Sequence, residues 1–272
     1  MTQQTVRVNG CDFRVEVRGE GPPMVFVHGE IHGMDYWEHQ IAEYAQRFRC
    51  LIYDRRGHAG TPATAFGYSV SNQSRDLRDL LDHFAMERPL VVALAFGTTI
   101  AAQFAIDHPE RVRGMVIAAW SEMHDARAYL ERWEQSGIRA AQAVDAGGRE
   151  GLVQLLRVEG GTTMFKVIPP PGSPLREKAI QLLASHPADE YRRGMLEMAS
   201  SVPELIARFR TLAIPVLGLC GADDPFPDQP QVLAGMQSFE EATPIPCAGR
   251  FVHWESPRAF NDRVNQFIKE RL

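Results

Sequence analysis

The sequence predicts an α/β protein: a doubly wound, mostly parallel sheet with a helical segment inserted into it. Short apolar runs without polar alternation recur at Met24 to Val27, Cys50 to Tyr53, Leu90 to Leu94, Val112 to Ala118 and Ile214 to Cys220. That is the pattern of strands buried on both faces. Segments of helical period stand between or after them, at Asp35 to Gln46, Ser71 to Phe84, Thr98 to His108 and Phe260 to Leu272. Such alternation implies parallel strands joined by right-handed crossovers. Between Ser121 and about Ala207 the alternation stops. Amphipathic stretches around Ala126 to Gln135, Arg149 to Leu156, Leu175 to His186 and Glu190 to Ser200 follow one another there with no strand between them. The expected division is therefore a core of residues 1–120 and 208–272 with a helical lid at 121–207.

The chain opens differently. Thr5 to Val8 and Phe13 to Val17 alternate apolar and polar side chains on either side of Asn9-Gly10, the signature of a half-solvated hairpin. In the helical segment, Pro169, Pro170 and Pro171 forbid helix and favour an extended stretch from Val167 to Ser173, either a stiff connector or a pocket wall.

With 44% hydrophobic residues in 272, the chain can bury a full core without help. A net charge of -5 and the lack of any Lys/Arg run argue against nucleic acid or a lipid surface as partner. No apolar run approaches the length of a spanning helix, and Met1 to Gly10 has no leader pattern, so a cytoplasmic location is expected. Cys11, Cys50, Cys220 and Cys247 lie far apart with no CxxC pair and read as reduced thiols rather than metal ligands. No dinucleotide fingerprint, phosphate loop or metal cluster is present, so no cofactor and no metal are expected. The expected partner is a small-molecule substrate. Nothing in the sequence speaks to oligomeric state.

The most informative stretch is Leu90 to Ala105. A buried strand runs into Ala93-Leu94-Ala95-Phe96-Gly97 and then directly into the small-residue helix beginning Thr98-Thr99-Ile100-Ala101-Ala102. In a Gly-x-Ser-x-Gly elbow the sharp strand-to-helix turn lifts the central side chain above the sheet. Here the small flanks are Ala93 and Gly97, and the centre is Ala95. On either side of it come His28-Gly29, Asp54-Arg55-Arg56-Gly57-His58, Gly221-Ala222-Asp223-Asp224-Pro225 and Gly249-Arg250-Phe251-Val252-His253, each at the end of an expected strand or before the last helix.

In that ordered set, from Met24 to the C-terminus, the chain resembles the α/β-hydrolase family. The resemblance implies a Ser-His-acid machine with Ala95 at the nucleophile position, His253 as the base and Asp224 as the acid, Asp223 being its rival. Glu122 is a poor alternative acid, because Ala119-Trp120 occupy the end of the strand before the lid. It also implies an oxyanion hole from the backbone N–H groups of Phe96 and Glu30, and a substrate pocket near His28, Gly29, Ile31, His32, Trp120 and Trp254. His28 reads more simply as a brace than as a base, His58 as structural, and Tyr36, Trp37, Phe96, Trp120 and Trp254 as core or cleft aromatics.

A methyl group cannot attack a carbonyl, so the chain has no acyl-enzyme route through position 95. Three readings remain open. In the first the parent carries Ser there and hydrolyses an ester or lactone, this chain being an inactivated or strongly impaired Ser-to-Ala variant. In the second Ala95 is native, and His253 with Asp224 acts as a general base in a cofactor-free dioxygenase, lyase or cyclase. The third is a small-molecule binding protein that turns nothing over. Leu152 to Leu156, Met164, Phe165 and Met195 to Met198 suggest a hydrophobic group on the ligand.

Overall fold

The computed structural model describes residues 3–30, 32–120, 126–159, 168–193, 202–225, 233 and 235–272. Eight strands form one sheet in the order β1-β2-β4-β3-β5-β6-β7-β8. They are β1 (Gln4–Val8), β2 (Cys11–Arg18), β3 (Pro23–Val27), β4 (Arg49–Tyr53), β5 (Leu90–Leu94), β6 (Gly114–Ala118), β7 (Val216–Leu219) and β8 (Phe239–Glu241). The expected hairpin is β1–β2, paired antiparallel; Asn9 and Gly10 both take positive φ, 43° and 71°, as a tight turn between right-twisted strands requires. From β4 to β8 the pairings are parallel. β8 has no counterpart among the expected strands: three residues, two of them Glu, offer no periodic signal.

Alternation along the strands divides the core into two layers. Val25, Val27, Val91 and Ala93 face the cluster that includes Leu77 and Leu80 of α2 (Val70–His83) and Ile100 and Phe104 of α3 (Phe96–Asp107). Met24, Phe26, Leu90 and Val92 face the cluster that includes Ile41 of α1 (Glu38–Tyr44) and Phe260, Val264 and Phe267 of α9 (Pro257–Arg271). The short α8 (Val252–Glu255) precedes α9.

Between β6 and β7 the described residues include the helices α4 (Ala126–Glu159), α5 (Arg176–Leu183), α6 (Ala188–Arg193) and α7 (Val202–Phe209). The first two expected amphipathic stretches are parts of one run. Helix continues through the Ala-rich segment between them and breaks only at Gly148, with φ 60° and ψ -152°, where a residue without Cβ has little to lose. Leu152, Val153 and Leu156 are buried in the α2–α3 layer, so they hold this insertion on the core rather than line a cleft. Met164, Phe165 and Met195 to Met198 lie outside the described residues. Pro169 serves a connector: its carbonyl accepts from Arg176 Nη1 at 2.7 Å.

Candidate active site

The β5–α3 elbow has the geometry its sequence implies. Ala95 takes φ 49° and ψ -123°, a region that an L-residue occupies only when its surroundings force it, at a cost of about 1–3 kcal/mol. The forcing contacts are on both sides. Ala95 N–H donates to Ala118 O at 2.8 Å, and Thr98 N–H donates to Ala95 O at 2.9 Å as the first bond of the helix. Gly97 is needed for packing: a Cβ there would lie 2.4 Å from His28 O and 2.5 Å from Val27 O, so only glycine lets α3 start against the end of β3. The Phe96 and Gly97 N–H groups precede the first intrahelical bond, and the helix dipole adds positive potential at this point. The Phe96 side chain is buried under the Arg55 guanidinium, whose carbon is 5.1 Å from the ring centroid.

The loop after β3 faces the elbow. A Cβ built on Gly29 would come within 3.1 Å of both Ala95 Cβ and His32 Nδ1. His32 Nδ1 lies 2.5 Å from Glu30 O. A carbonyl can only accept, so Nδ1 carries the proton and Nε2 holds the lone pair. Nε2 is buried with no hydrogen-bond partner among the described residues. Burial, followed by the neighbouring His253, drives the His32 pKa well below the ordinary value, which keeps the ring neutral. The loop is tied down by Asp54, which accepts from Met34 N–H at 2.7 Å, Gly60 N–H at 2.9 Å and Arg14 Nη1 at 2.9 Å. Ile31 lies outside the described residues.

His28 is a brace. Its Nδ1 donates to Gly29 O and its Nε2 accepts from Arg55 N–H, both at 2.8 Å, so both nitrogens are engaged within the protein. The Glu30 carboxylate pairs with Arg55 Nη2 at 2.6 Å. His58 joins this group, with Nε2 2.8 Å from Arg55 Nη2, 3.5 Å from Glu30 and 3.6 Å from Glu190 of α6. Burial and Arg55 push the His58 pKa down, but Glu190 and Glu30 outweigh them and leave it raised.

The expected base and acid are not brought together. Asp224 lies past β7, where Gly221 permits a very close approach: a Cβ there would overlap Ala248 O, and Asp223 N–H donates to that same oxygen at 2.9 Å. The residue that reaches Asp224 across this contact is Arg250, with Nη1 3.2 Å from Oδ2 and both side chains buried. His253 lies on α8, turned to the other layer. Its ring packs on Trp37 at 4.4 Å between centroids and on Phe260 at 6.1 Å, and neither ring nitrogen has a hydrogen-bond partner among the described residues. Burial lowers its pKa to about 3, whereas an adjoining carboxylate would raise it. The expectation that Asp224 holds His253 is thereby corrected.

The aromatic expectations are also redrawn. Trp120 is fully buried. Its indole N–H donates to Thr99 Oγ1 at 3.1 Å, and its ring stands edge-on to Phe209 at 5.5 Å, so it is core packing. Trp254 donates to Glu38 Oε1 at 3.1 Å and lies 4.9 Å beneath Lys178 Nζ, which makes it part of the α5 docking seam. Glu122 lies outside the described residues.

Sequence reasoning missed Arg250, Arg55, His186 and Glu190. Arg250 stands in a stretch already singled out, but a guanidinium cannot serve as a base and was passed over. His186 lies in the turn between α5 and α6, just before Pro187, and Glu190 in the first turn of α6, so no helical periodicity marked the pair.

Residues 22–257 match the model of the alpha/beta hydrolase fold family. The chain is similar to 3-oxoadipate enol-lactonase 2 of Acinetobacter baylyi, 24% identical, with 99% of this chain and 96% of that protein aligned. In structure it is similar to the enol-lactonase of Burkholderia xenovorans LB400, with a TM-score of 0.77, 20% identity and 98% and 100% of the two chains covered. It is also similar to a thermophilic esterase of Thermogutta terrifontis, with a TM-score of 0.77, 22% identity and 98% and 97% covered. The chain belongs to the alpha/beta hydrolase fold family.

Proposed function

We propose that this protein hydrolyses a small ester or lactone by direct, base-assisted attack of water, without an acyl-enzyme. The observation that carries the reading is the neutral His32, whose ring lies across Gly29 from a strained elbow with Ala95 at its apex, and whose Nε2 has no hydrogen-bond partner among the described residues. Relatives of lactonase and esterase type point to the same class of carbonyl substrate.

In this reading the carbonyl oxygen sits at the start of α3, against Phe96 N–H and the loop of Glu30. Those backbone donors do not depend on the side chain at 95. The Ala95 methyl leaves the space of a hydroxyl above the elbow for water. His32 Nε2 takes one water proton as the oxygen bonds to the carbonyl carbon. Collapse of the tetrahedral oxyanion breaks the bond to the alkoxide, and the alkoxide takes that proton back from His32. Ring-opened hydroxy acid, or acid plus alcohol, is released.

The test is steady-state and pre-steady-state hydrolysis of p-nitrophenyl acetate and a lactone panel by the chain, its His32→Gln variant and its Ala95→Ser variant. Turnover without a burst is expected, with a loss of about 10²–10⁴-fold in kcat on His32→Gln. Silence of the chain, or full activity of His32→Gln, overturns the reading. The strained φ of Ala95 also favours a second one, a parent with Ser at this position. In that case Ala95→Ser alone creates a burst and rapid turnover.

A further inference from the structure

Where the insertion meets the core, several buried polar atoms have no hydrogen-bond partner among the described residues. His186 Nδ1 lies 2.8 Å from Glu190 Oε2. The carboxylate can only accept, so Nδ1 carries a proton, and in the neutral ring Nε2 holds the lone pair. That Nε2, Glu190 Oε1, His32 Nε2 and Tyr36 OH are all buried and make no hydrogen bond among the described residues, in residues no more than 5% exposed. They belong to one patch. The His32 and Tyr36 rings are 4.7 Å apart, and Glu190 Oε1 is 3.6 Å from His58 Nε2. Burial and then Glu190 hold the Tyr36 phenol above its ordinary pKa.

Buried polar atoms in folded proteins almost always have partners, in protein, water or ligand. The unmet demand here has a definite sign. With His32 Nε2 reserved as base, His186 Nε2 and Glu190 Oε1 can only accept, and Tyr36 OH is free to do either. The patch therefore calls for a ligand that donates O–H groups, not for the apolar ligand that the sequence suggests.

We propose that His186 is a specificity-determining residue. Glu190 fixes its tautomer, and its Nε2 accepts a hydrogen bond from a hydroxyl group of the substrate, which is a hydroxylated lactone or ester. The lactone or ester part rests on the hydrolytic reading above; the hydroxyl part does not. Discrimination follows from burial: an analogue lacking the hydroxyl strands Nε2 in a site closed to bulk water, which costs more than the bond itself contributes.

The test is calorimetric binding of two matched pairs, pantolactone against 3,3-dimethyl-γ-butyrolactone and α-hydroxy-γ-butyrolactone against γ-butyrolactone. The chain, His186→Phe and Glu190→Gln are compared. The hydroxylated member is expected to bind at least about tenfold tighter to the chain, with the ratio falling toward one in both variants. A ratio near one in the unmodified chain overturns the proposal, because water alone then fills the patch. So does a ratio that persists in His186→Phe, or no binding of any of the four. The first comparison needs no variant, so a variant that fails to fold leaves the proposal decidable. Discrimination without turnover leaves the proposal standing and sinks the hydrolytic reading; turnover without discrimination does the reverse.

Discussion

Acidification combined with His253→Phe separates a structural histidine from a catalytic one. In the folded protein the ring lies between Trp37 and Phe260, and burial brings its pKa from 6.5 to about 3. Between those values the unfolded chain binds a proton that the folded chain does not, so stability rises with pH across the window and is lost as pH falls through it. One group contributes about 1.4 kcal/mol per pH unit inside the window. Moving from pH 7 to about 4.5 crosses about two units of it and removes about 3 kcal/mol. His28 and His32 are depressed in the same direction, so the total loss in the unmodified chain is larger. The difference between chain and variant isolates His253. Urea unfolding followed by tryptophan fluorescence at the two pH values measures it, and the Phe variant should lose about 3 kcal/mol less on acidification. Were His253 held by a carboxylate, its folded pKa would be raised and the sign would reverse. A variant that loses as much as the unmodified chain, or more, refutes the reasoning.

Gly97→Ala drives a Cβ into two backbone carbonyls and should destabilise the fold by at least about 3 kcal/mol, the top of the usual overpacking range, as read by the urea midpoint. Because Asp224 reaches Arg250, Ala95→Ser should by itself yield little acyl-enzyme, whereas Ala95→Ser with Arg250→His should give a burst with p-nitrophenyl acetate; an equal burst from the single variant would show that the serine finds another base. His58 has a raised pKa against Glu190 and Glu30, so its contribution is complete below its unfolded value and fades as pH rises through the raised one. Protection factors in α5 and α6, that is exchange rates corrected for the intrinsic base catalysis of amide exchange, should therefore fall on the alkaline side in the chain and stay level in His58→Asn.

The candidate site has the backbone of a nucleophile elbow: the strained turn at Ala95, the Gly97 contact and the loop pinned by Asp54 are all present. The side chains that would perform covalent catalysis are absent or engaged elsewhere. Ala95 has no nucleophilic atom, and the Asp224 carboxylate faces a guanidinium that can neither accept nor relay a proton. Polar groups fill the seam instead, from the Glu30–Arg55 pair on the core to Glu190 and His186 on the insertion.

The sequence by itself determined the sheet, the hairpin, the break in alternation and the elbow, because each depends on local patterning: apolar runs, Asn9-Gly10 and small residues flanking a strand-to-helix turn. It also located the stretch from Gly249 to His253. Only the tertiary structure decided which side chain of that stretch reaches Asp224. Arg250 and His253 are three residues apart on a loop entering a four-residue helix, so a modest change of path exchanges their directions, and motif spacing cannot register it. The closeness that selects Arg250 comes from Gly221 lying against Ala248 and Gly249, a contact between segments far apart in the chain. The same holds for His32, His186 and Glu190: each is an ordinary polar residue in sequence, and together they become a site only when the fold removes them from water.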